Sequence, residues 1–367
     1  MKFLVAGNLV NSGYYLTKLL RNEGFAADLL LKKNPSVTEE PKSLDEDLLN
    51  YPEWIKLWDG SKWNWKYNII KIMRKYDLIQ ASTELPIFSL FSLKPFIVFT
   101  TGSDIIELAH KNSMKGFLLR QAYKKAKVLI FPGPYMYDSV IKLKIKNSIF
   151  LPLLWDYDKF KTEDENMTDN SKFIIFHPTR HSWKIKGNNI FLKAFINLAE
   201  KRNDVHLYLI NHGEDFDRSL QLLQKSTVKG KFTVLPRLKQ NELLQYYKKC
   251  DVVVDYFVLG SIGMIGQEAL ACKKPLIQYF DQNLNKKFYD ELPPIIGART
   301  EEQVLNSLLK LIEDRKTCRD IGRKSREWLL KYHDPKKIIK KYIYVYESVQ
   351  NHLKFNVIKD NLPSIGN

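Results

Sequence analysis

The chain has 367 residues, 44% of them hydrophobic, with 58 Lys and Arg against 41 Asp and Glu and a formal net charge of +17 at pH 7. This length gives two domains of ordinary size with a large core, and the apolar share excludes a disordered chain. No run approaches the roughly 18 consecutive apolar residues of a membrane span, the apolar start is too short for a secretory signal, and Cys250, Cys272 and Cys318 lack metal-ligand spacing.

Residues 3–6 read as a first strand, ending at Gly7-Asn8 and a second turn, Asn11-Ser12-Gly13. An amphipathic helix follows to about residue 23, with Leu16, Leu19 and Leu20 on one face, and residues 27–31 form the next strand. This is the opening βαβ of a doubly wound domain, in which ligands bind at the carboxyl ends of the strands. The loop Asn11-Ser12-Gly13 is therefore a candidate binding loop, with a plain helix start as the alternative. Residues 33–66 are irregular, with an acidic patch around 45–47. Within them Trp54, Trp58, Trp63 and Trp65 interleave with Lys56, Lys62 and Lys66. Three readings fit: an interfacial segment, with rings at the headgroup level and cations on phosphate; a sugar-stacking groove; and a satellite core under the loop. Strands at 77–82 and 95–100 follow, the second leaving Thr101-Gly102-Ser103-Asp104 before a helix that Asp104 could N-cap.

Arg120, Lys124, Lys125 and Lys127, then Lys142, Lys144 and Lys146, make the end of this half strongly basic. The whole surplus calls for an anionic partner. No zinc finger, RNP signature or basic zipper accompanies it, which argues against nucleic acid; an anionic cytoplasmic leaflet is the better expectation. Residues 161–171 are polar and acidic and mark a domain boundary. The second half opens with a strand at 172–176, then His177-Pro178-Thr179-Arg180 and Lys184-Ile185-Lys186-Gly187 before a helix. Further strands are expected at 205–210 and 232–235, the latter ending at Pro236-Arg237, with helices near 301–313, 316–331 and 336–352.

Residues 251–279 are the most informative stretch. The apolar run 251–256 reads as a buried parallel strand, followed by Gly260, Ser261, Ile262, Gly263 and Gly266 and a short helix through Glu268 that Lys273 and Lys274 end on its negative dipole. Strand, glycine loop and helix can hold a phosphorylated nucleotide, because glycine amides and the helix N-terminus attract the anion. A carboxylate placed like Glu268 can accept two hydrogen bonds from a ribose diol.

Glu-Ala-Leu-Ala-Cys-Lys-Lys-Pro at 268–275, with Gly263, resembles the second half of the signature E-G-F-G-x-x-x-x-E-A-x-A-x-G-K-P of GT-B glycosyltransferases of the family 4 type, the glycosyl transferases group 1. Gly260 stands where the family carries its first glutamate. Pro152, Asp156 and Phe160 resemble the interdomain phrase, and Thr101 takes the place of a histidine that lies against the donor sugar, so no catalytic histidine carries over. The resemblance implies two Rossmann-like α/β domains facing across a cleft, residues 1–160 for the acceptor and 172–333 for the donor, with 334–367 as a helix crossing back to the first. It implies retention of configuration without a bound metal and without a cofactor. The donor set is Gly13, Arg180, Lys186, Arg237, Gly260, Ser261, Ile262, Gly263 and Glu268; Arg180, Lys186 and Glu268 carry the catalytic roles, with Lys184 competing for the place of Lys186. The acceptor set is Asn11, Ser12, Thr101 and Asp104.

The expected function is sugar transfer from a nucleoside-diphosphate sugar to a cell-envelope or lipid-linked glycan, in the cytoplasm and on the cytoplasmic face of an anionic membrane. A nucleotide-sugar epimerase or hydrolase on the same fold and a non-catalytic sugar-nucleotide-binding module are the alternatives.

Overall fold

The computed structural model describes residues 2–36, 38–45, 48–160 and 172–366. Two acidic positions of the 45–47 patch and the boundary segment 161–171 lie outside the described residues. The chain divides into two compact units, residues 1–156 with 333–367 and residues 157–332.

The first unit is built on seven parallel strands, β1 Lys2–Ala6, β2 Ala26–Lys32, β3 Ile55–Trp58, β4 Leu78–Ser82, β5 Phe96–Phe99, β6 Val128–Phe131 and β7 Ser148–Phe150, in the order β3-β2-β1-β4-β5-β6-β7. The strands are short apolar runs buried on both faces, as helix-covered parallel sheets require. The winding direction reverses between β1 and β4, so a crevice opens beyond their carboxyl ends. Gly7 and Gly13 meet there: a Cβ on Gly13 would lie 2.0 Å from the Gly7 carbonyl oxygen, and Gly7 has φ +105°. The helix Pro335–Gln350 starts at the Asp334 cap and buries Tyr342, Val345, Tyr346 and Val349 in this unit. The Tyr346 hydroxyl donates to Gln80 Oε1 at 2.7 Å, and its ring lies 4.6 Å from that of Phe3. A further short helix, Phe355–Asp360, has too few residues to show a period in the sequence.

The tryptophan segment separates by position. Trp54 stacks on Tyr14, while Trp58 stacks on Trp65, which meets Phe88 edge-on, so these three pack in two small aromatic clusters; Trp63 is 94% exposed.

The second unit holds six parallel strands, β8 Phe173–His177, β9 Val205–Ile210, β10 Phe232–Leu235, β11 Val252–Val254, β12 Leu276–Gln278 and β13 Ile296–Gly297, in the order β10-β9-β8-β11-β12-β13. Its core packs Phe173, Ile175, Val252 and Val254 against the helices Asn188–Lys201 and Glu301–Glu313. The strand expected over 251–256 is regular only over 252–254, although Asp251 N and Asp255 N still bond to neighbouring strands. The helix ends at Ala271, and Lys274 just beyond it is buried, its ammonium donating to the carbonyls of Lys248 and Cys250 at 3.1 and 2.8 Å. Here the reversal of winding falls between β8 and β11.

Candidate functional site

The loops leaving β8 and β11 converge on that switch point. From β8 the chain runs through Thr179 and Arg180 to the short helix Trp183–Lys186, turns at Gly187 (φ +70°), and enters Asn188–Lys201. Buried side chains hold this loop. Asn188 Nδ2 donates to His177 Nε2 at 2.9 Å, which leaves the His177 Nδ1 proton to donate to the Val254 carbonyl at 2.8 Å. Asn188 Oδ1 accepts from Ser182 N at 2.9 Å. Burial pushes His177 down to about 3 and His181 down to about 4, so both rings are neutral framework. Gly213 (φ +117°) lets the next loop lie against His181, whose N–H donates to the His212 carbonyl at 2.7 Å; a Cβ there would sit 2.3 Å from the His181 carbonyl oxygen.

On this frame Lys186 points its ammonium over the Tyr256 ring, 4.3 Å from the centroid. Burial lowers its pKa, the Asp255 carboxylate opposes that, and the Arg180 cation adds to it. Arg180 itself is exposed, with Glu214 as a long ion-pair partner at 3.9 Å. Arg237, exposed beyond β10, and Arg180 both lower the pKa of His212 after burial does. At the carboxyl ends of β8, β9 and β10 these cations meet the Glu214 carboxylate, which opposes them at His212. Lys184, the competitor in sequence, is exposed.

The glycine loop is equally braced. Gly260 has φ +67°, and a Cβ there would meet the Tyr279 ring at 3.0 Å and Asp281 Cβ at 3.1 Å. Asn285 Nδ2 donates to the Gly260 carbonyl at 2.8 Å, and Gln278 Nε2 and the Tyr256 hydroxyl both donate to the Ser261 carbonyl. Ser261 is buried, its hydroxyl donating to Asn285 Oδ1 at 3.1 Å, and Ile262 is buried too. With both carbonyls turned inward, Gly263 leads into the helix Met264–Ala271 with no side-chain cap on its first amides.

Glu268 sits one turn into that helix, 5% exposed, with Oε2 accepting from the Tyr247 hydroxyl at 2.8 Å. Burial, reinforced by Asp255 and opposed by the Tyr247 bond, raises its pKa to about 7. The sequence did not single out Tyr247 for this role, because the two are 21 residues apart and Tyr247 reads as one more apolar helix position. Asp255 was also missed. It is 1% exposed, accepts from the Thr179 hydroxyl at 2.7 Å, faces the Gly266 amide, and is pushed up in pKa by burial against the pull of Lys186. A carboxylate closing an all-apolar strand just before a glycine loop is the signal that marks it.

In the first unit Ser12 and Gly13 line a pocket at the carboxyl ends of β1 and β4, with Gly7, Gln80, Ser82 and Tyr342. Asn11 does not face it with a free amide: its Nδ2 donates to the Glu40 carbonyl and to Ser43, and its Oδ1 accepts from Asn8. Thr101 is half-buried. Asp104 is buried and not an N-cap; Gly102 holds that position, and Asp104 reaches back to accept from Thr101 N at 2.9 Å, with burial raising its pKa to about 6.

Residues 158–328 match the family described as Glycosyl transferases group 1. The chain is 22% identical over 242 residues to the uncharacterized glycosyltransferase YqgM of Bacillus subtilis (strain 168), a match covering 65% of this chain and 60% of that protein. It is 19% identical over 332 residues to the uncharacterized glycosyltransferase MJ1069 of Methanocaldococcus jannaschii, covering 83% of each. In three dimensions it is similar to Anabaena HepE, solved in complex with UDP and glucose, with a TM-score of 0.76 at 15% identity over 95% of this chain and 100% of that one. The chain thus has the GT-B fold, and its residues 158–328 match the glycosyl transferases group 1 domain.

Proposed function

We propose that this protein moves a sugar from a nucleoside-diphosphate sugar to a glycan or lipid-linked acceptor of the cell envelope, with retention of configuration and without a metal ion. The observation that carries the reading is the gathering, at the β8–β11 switch point, of two cations, a glycine loop with its carbonyls turned away, and the buried carboxylates Asp255 and Glu268. Arg180 and Lys186 neutralise the diphosphate, whose charge grows as the bond to the sugar breaks; a guanidinium fork and an ammonium stabilise that charge directly. Amides of Gly263 and the first helical turn add donors for phosphate oxygens. Glu268, in its ionised form, accepts the ribose hydroxyls. Arg237 lies beyond β10, where it can reach the nucleobase end. The bond from the anomeric carbon to the diphosphate breaks, a bond to the acceptor oxygen forms, and the departing phosphate oxygen takes the acceptor's proton. That HepE was solved with UDP and glucose supports a nucleotide-sugar donor. The acceptor is assigned to the first unit, where the pocket lined by Ser12 and Gly13 opens. The site of action is assigned to the cytoplasmic face of the membrane.

A thermal-shift panel of UDP, GDP, ADP and dTDP tests the donor half. One diphosphate at about 100 times its dissociation constant should stabilise the wild type by about 2.7 kcal/mol. The same diphosphate should fail to stabilise Arg180→Ala. No response to any of the four would overturn the reading, and donor hydrolysis that no acceptor ever outcompetes would replace transfer with hydrolysis.

A further inference from the structure

We propose that one face of the first unit, formed by the helices Trp65–Met73, Pro86–Ser92 and Met114–Lys125, docks on an anionic lipid bilayer. The inference extends the acceptor half of the transferase reading, but it rests on this surface alone.

These three helices follow β3, β4 and β5, and each crossover advances the sheet in the same direction. Right-handed crossovers then place all three on one side of it, opposite the helices Ser12–Asn22 and Pro335–Gln350. Neighbouring members touch: Arg74 donates to the Phe91 carbonyl at 3.2 Å, and Trp65 meets Phe88 edge-on.

The outward side chains are large and apolar where a solvated face would be polar. Trp63 is 94% exposed, Leu93 85%, Met114 73%, Tyr67 61%, Phe91 49% and Phe117 48%. Leu93 is the most telling. It holds φ +61° at the C-cap of its helix, where glycine or asparagine is favoured, and it presents its isobutyl group to solvent. Charge completes the pattern. Residues 60–75, 86–94 and 111–125 together contain 11 Lys and Arg and no Asp or Glu, with Glu84, just before the second stretch, paired to Lys115. Aromatic and aliphatic groups interleaved with cations suit the boundary between acyl chains and anionic headgroups, where the rings enter and the ammonium groups meet phosphate. A nucleic acid would be served by the cations alone and a protein partner by the apolar groups alone. The union of the two selects the lipid surface.

The test is flotation with phosphatidylcholine vesicles, with and without about a third phosphatidylglycerol, at low and high salt. The wild type is expected to float with the anionic vesicles at low salt and to be released by salt. The double variant Trp63→Ser/Leu93→Gly should bind at least about tenfold more weakly. Glycine is the residue a φ of +61° prefers, so this variant keeps its fold, verified by an unchanged melting temperature and unchanged nucleotide-induced shift. Brominated lipid should quench the wild type more than Trp63→Ser. Equal binding of wild type and double variant, or tighter binding to a polyanionic RNA than to the vesicles, would overturn the proposal. Nucleotide binding is read separately, so the donor site can stand if the membrane face fails.

Discussion

Replacing Lys186 with methionine is expected to lower turnover of the sugar donor by about 10²–10³-fold, the loss typical of removing one group that stabilises charge in a transition state. In the proposed reaction the ammonium acts where the diphosphate leaves. It is half-buried over Tyr256, has Asp255 as a nearby counter-charge, and lies on a loop that His177, Asn188 and Ser182 fix in place. Its pKa is lowered chiefly by burial, so the folded protein gains nothing in solvation from keeping a cation there. The melting temperature of Lys186→Met should therefore stay close to that of the wild type at acid pH and fall below it as pH rises, because Asp255 then lacks the cation that opposes the upward push of its burial. Lys184→Met is the control. Lys184 is exposed, so that variant should keep nearly full turnover. Steady-state kinetics on both variants decides between the two registers that the sequence Lys-Ile-Lys-Gly allows. If Lys184→Met were the damaging change, the assignment would pass to that residue.

Glu268→Gln is expected to make the protein more stable and a poorer nucleotide binder. The carboxyl has a pKa of about 7 in the folded state and an ordinary value of 4.5. Between those values the folded chain holds a proton that the unfolded chain has released. Unfolding therefore releases a proton, and the stability of the wild type falls as pH rises through that window. Above about pH 7 the full penalty is present, on the order of 3 kcal/mol. Glutamine accepts from Tyr247 as the carboxyl does and has no charge to bury, so the variant should gain on the wild type from pH 5 to pH 8. Denaturant unfolding at a series of pH values checks this. A constant difference across the series would mean that Glu268 is ionised throughout. Binding should move the opposite way: loss of a charge-assisted pair to the ribose costs roughly 1.5–3 kcal/mol, and wild-type affinity should climb through pH 7 as the carboxylate forms. A stabilising change that weakens the site is the trade expected where function holds a charge in a costly place.

The fold was largely legible because its signals are local. Val-Val-Val at 252–254 and the buried run 173–177 are apolar stretches bounded by turn residues, and Gly7, Gly187 and Gly260 mark the loops that leave the strands. Tyr342, Val345, Tyr346 and Val349, apolar at helical spacing in the sequence, form the buried face of the late helix. What escaped is information carried by tertiary partners. Lys274 looks like a helix-end cation until the carbonyls of Lys248 and Cys250 are seen around it. Asp104 looks like a cap until Gly102 is found in that position. Four clustered tryptophans look alike in sequence, yet three pack against Tyr14, Phe88 and one another, and only Trp63 faces solvent. In the candidate site, Arg180 and Lys186 follow a strand end directly and could be named. Asp255 and Tyr247, which oppose the burial-driven shifts of Lys186 and Glu268, could not, because their partners lie far along the chain.

The central claim is that the β8–β11 switch point binds the phosphates of a nucleotide, and calorimetric titration of a nucleoside beside its diphosphate tests it most directly. The diphosphate is expected to bind at one site, at least about 100-fold more tightly than the nucleoside, a gap of about 2.7 kcal/mol. In Arg180→Ala/Lys186→Met most of that gap should close while the nucleoside affinity stays the same. A diphosphate and nucleoside that bind alike to the wild type, or a gap untouched by the double substitution, would contradict it.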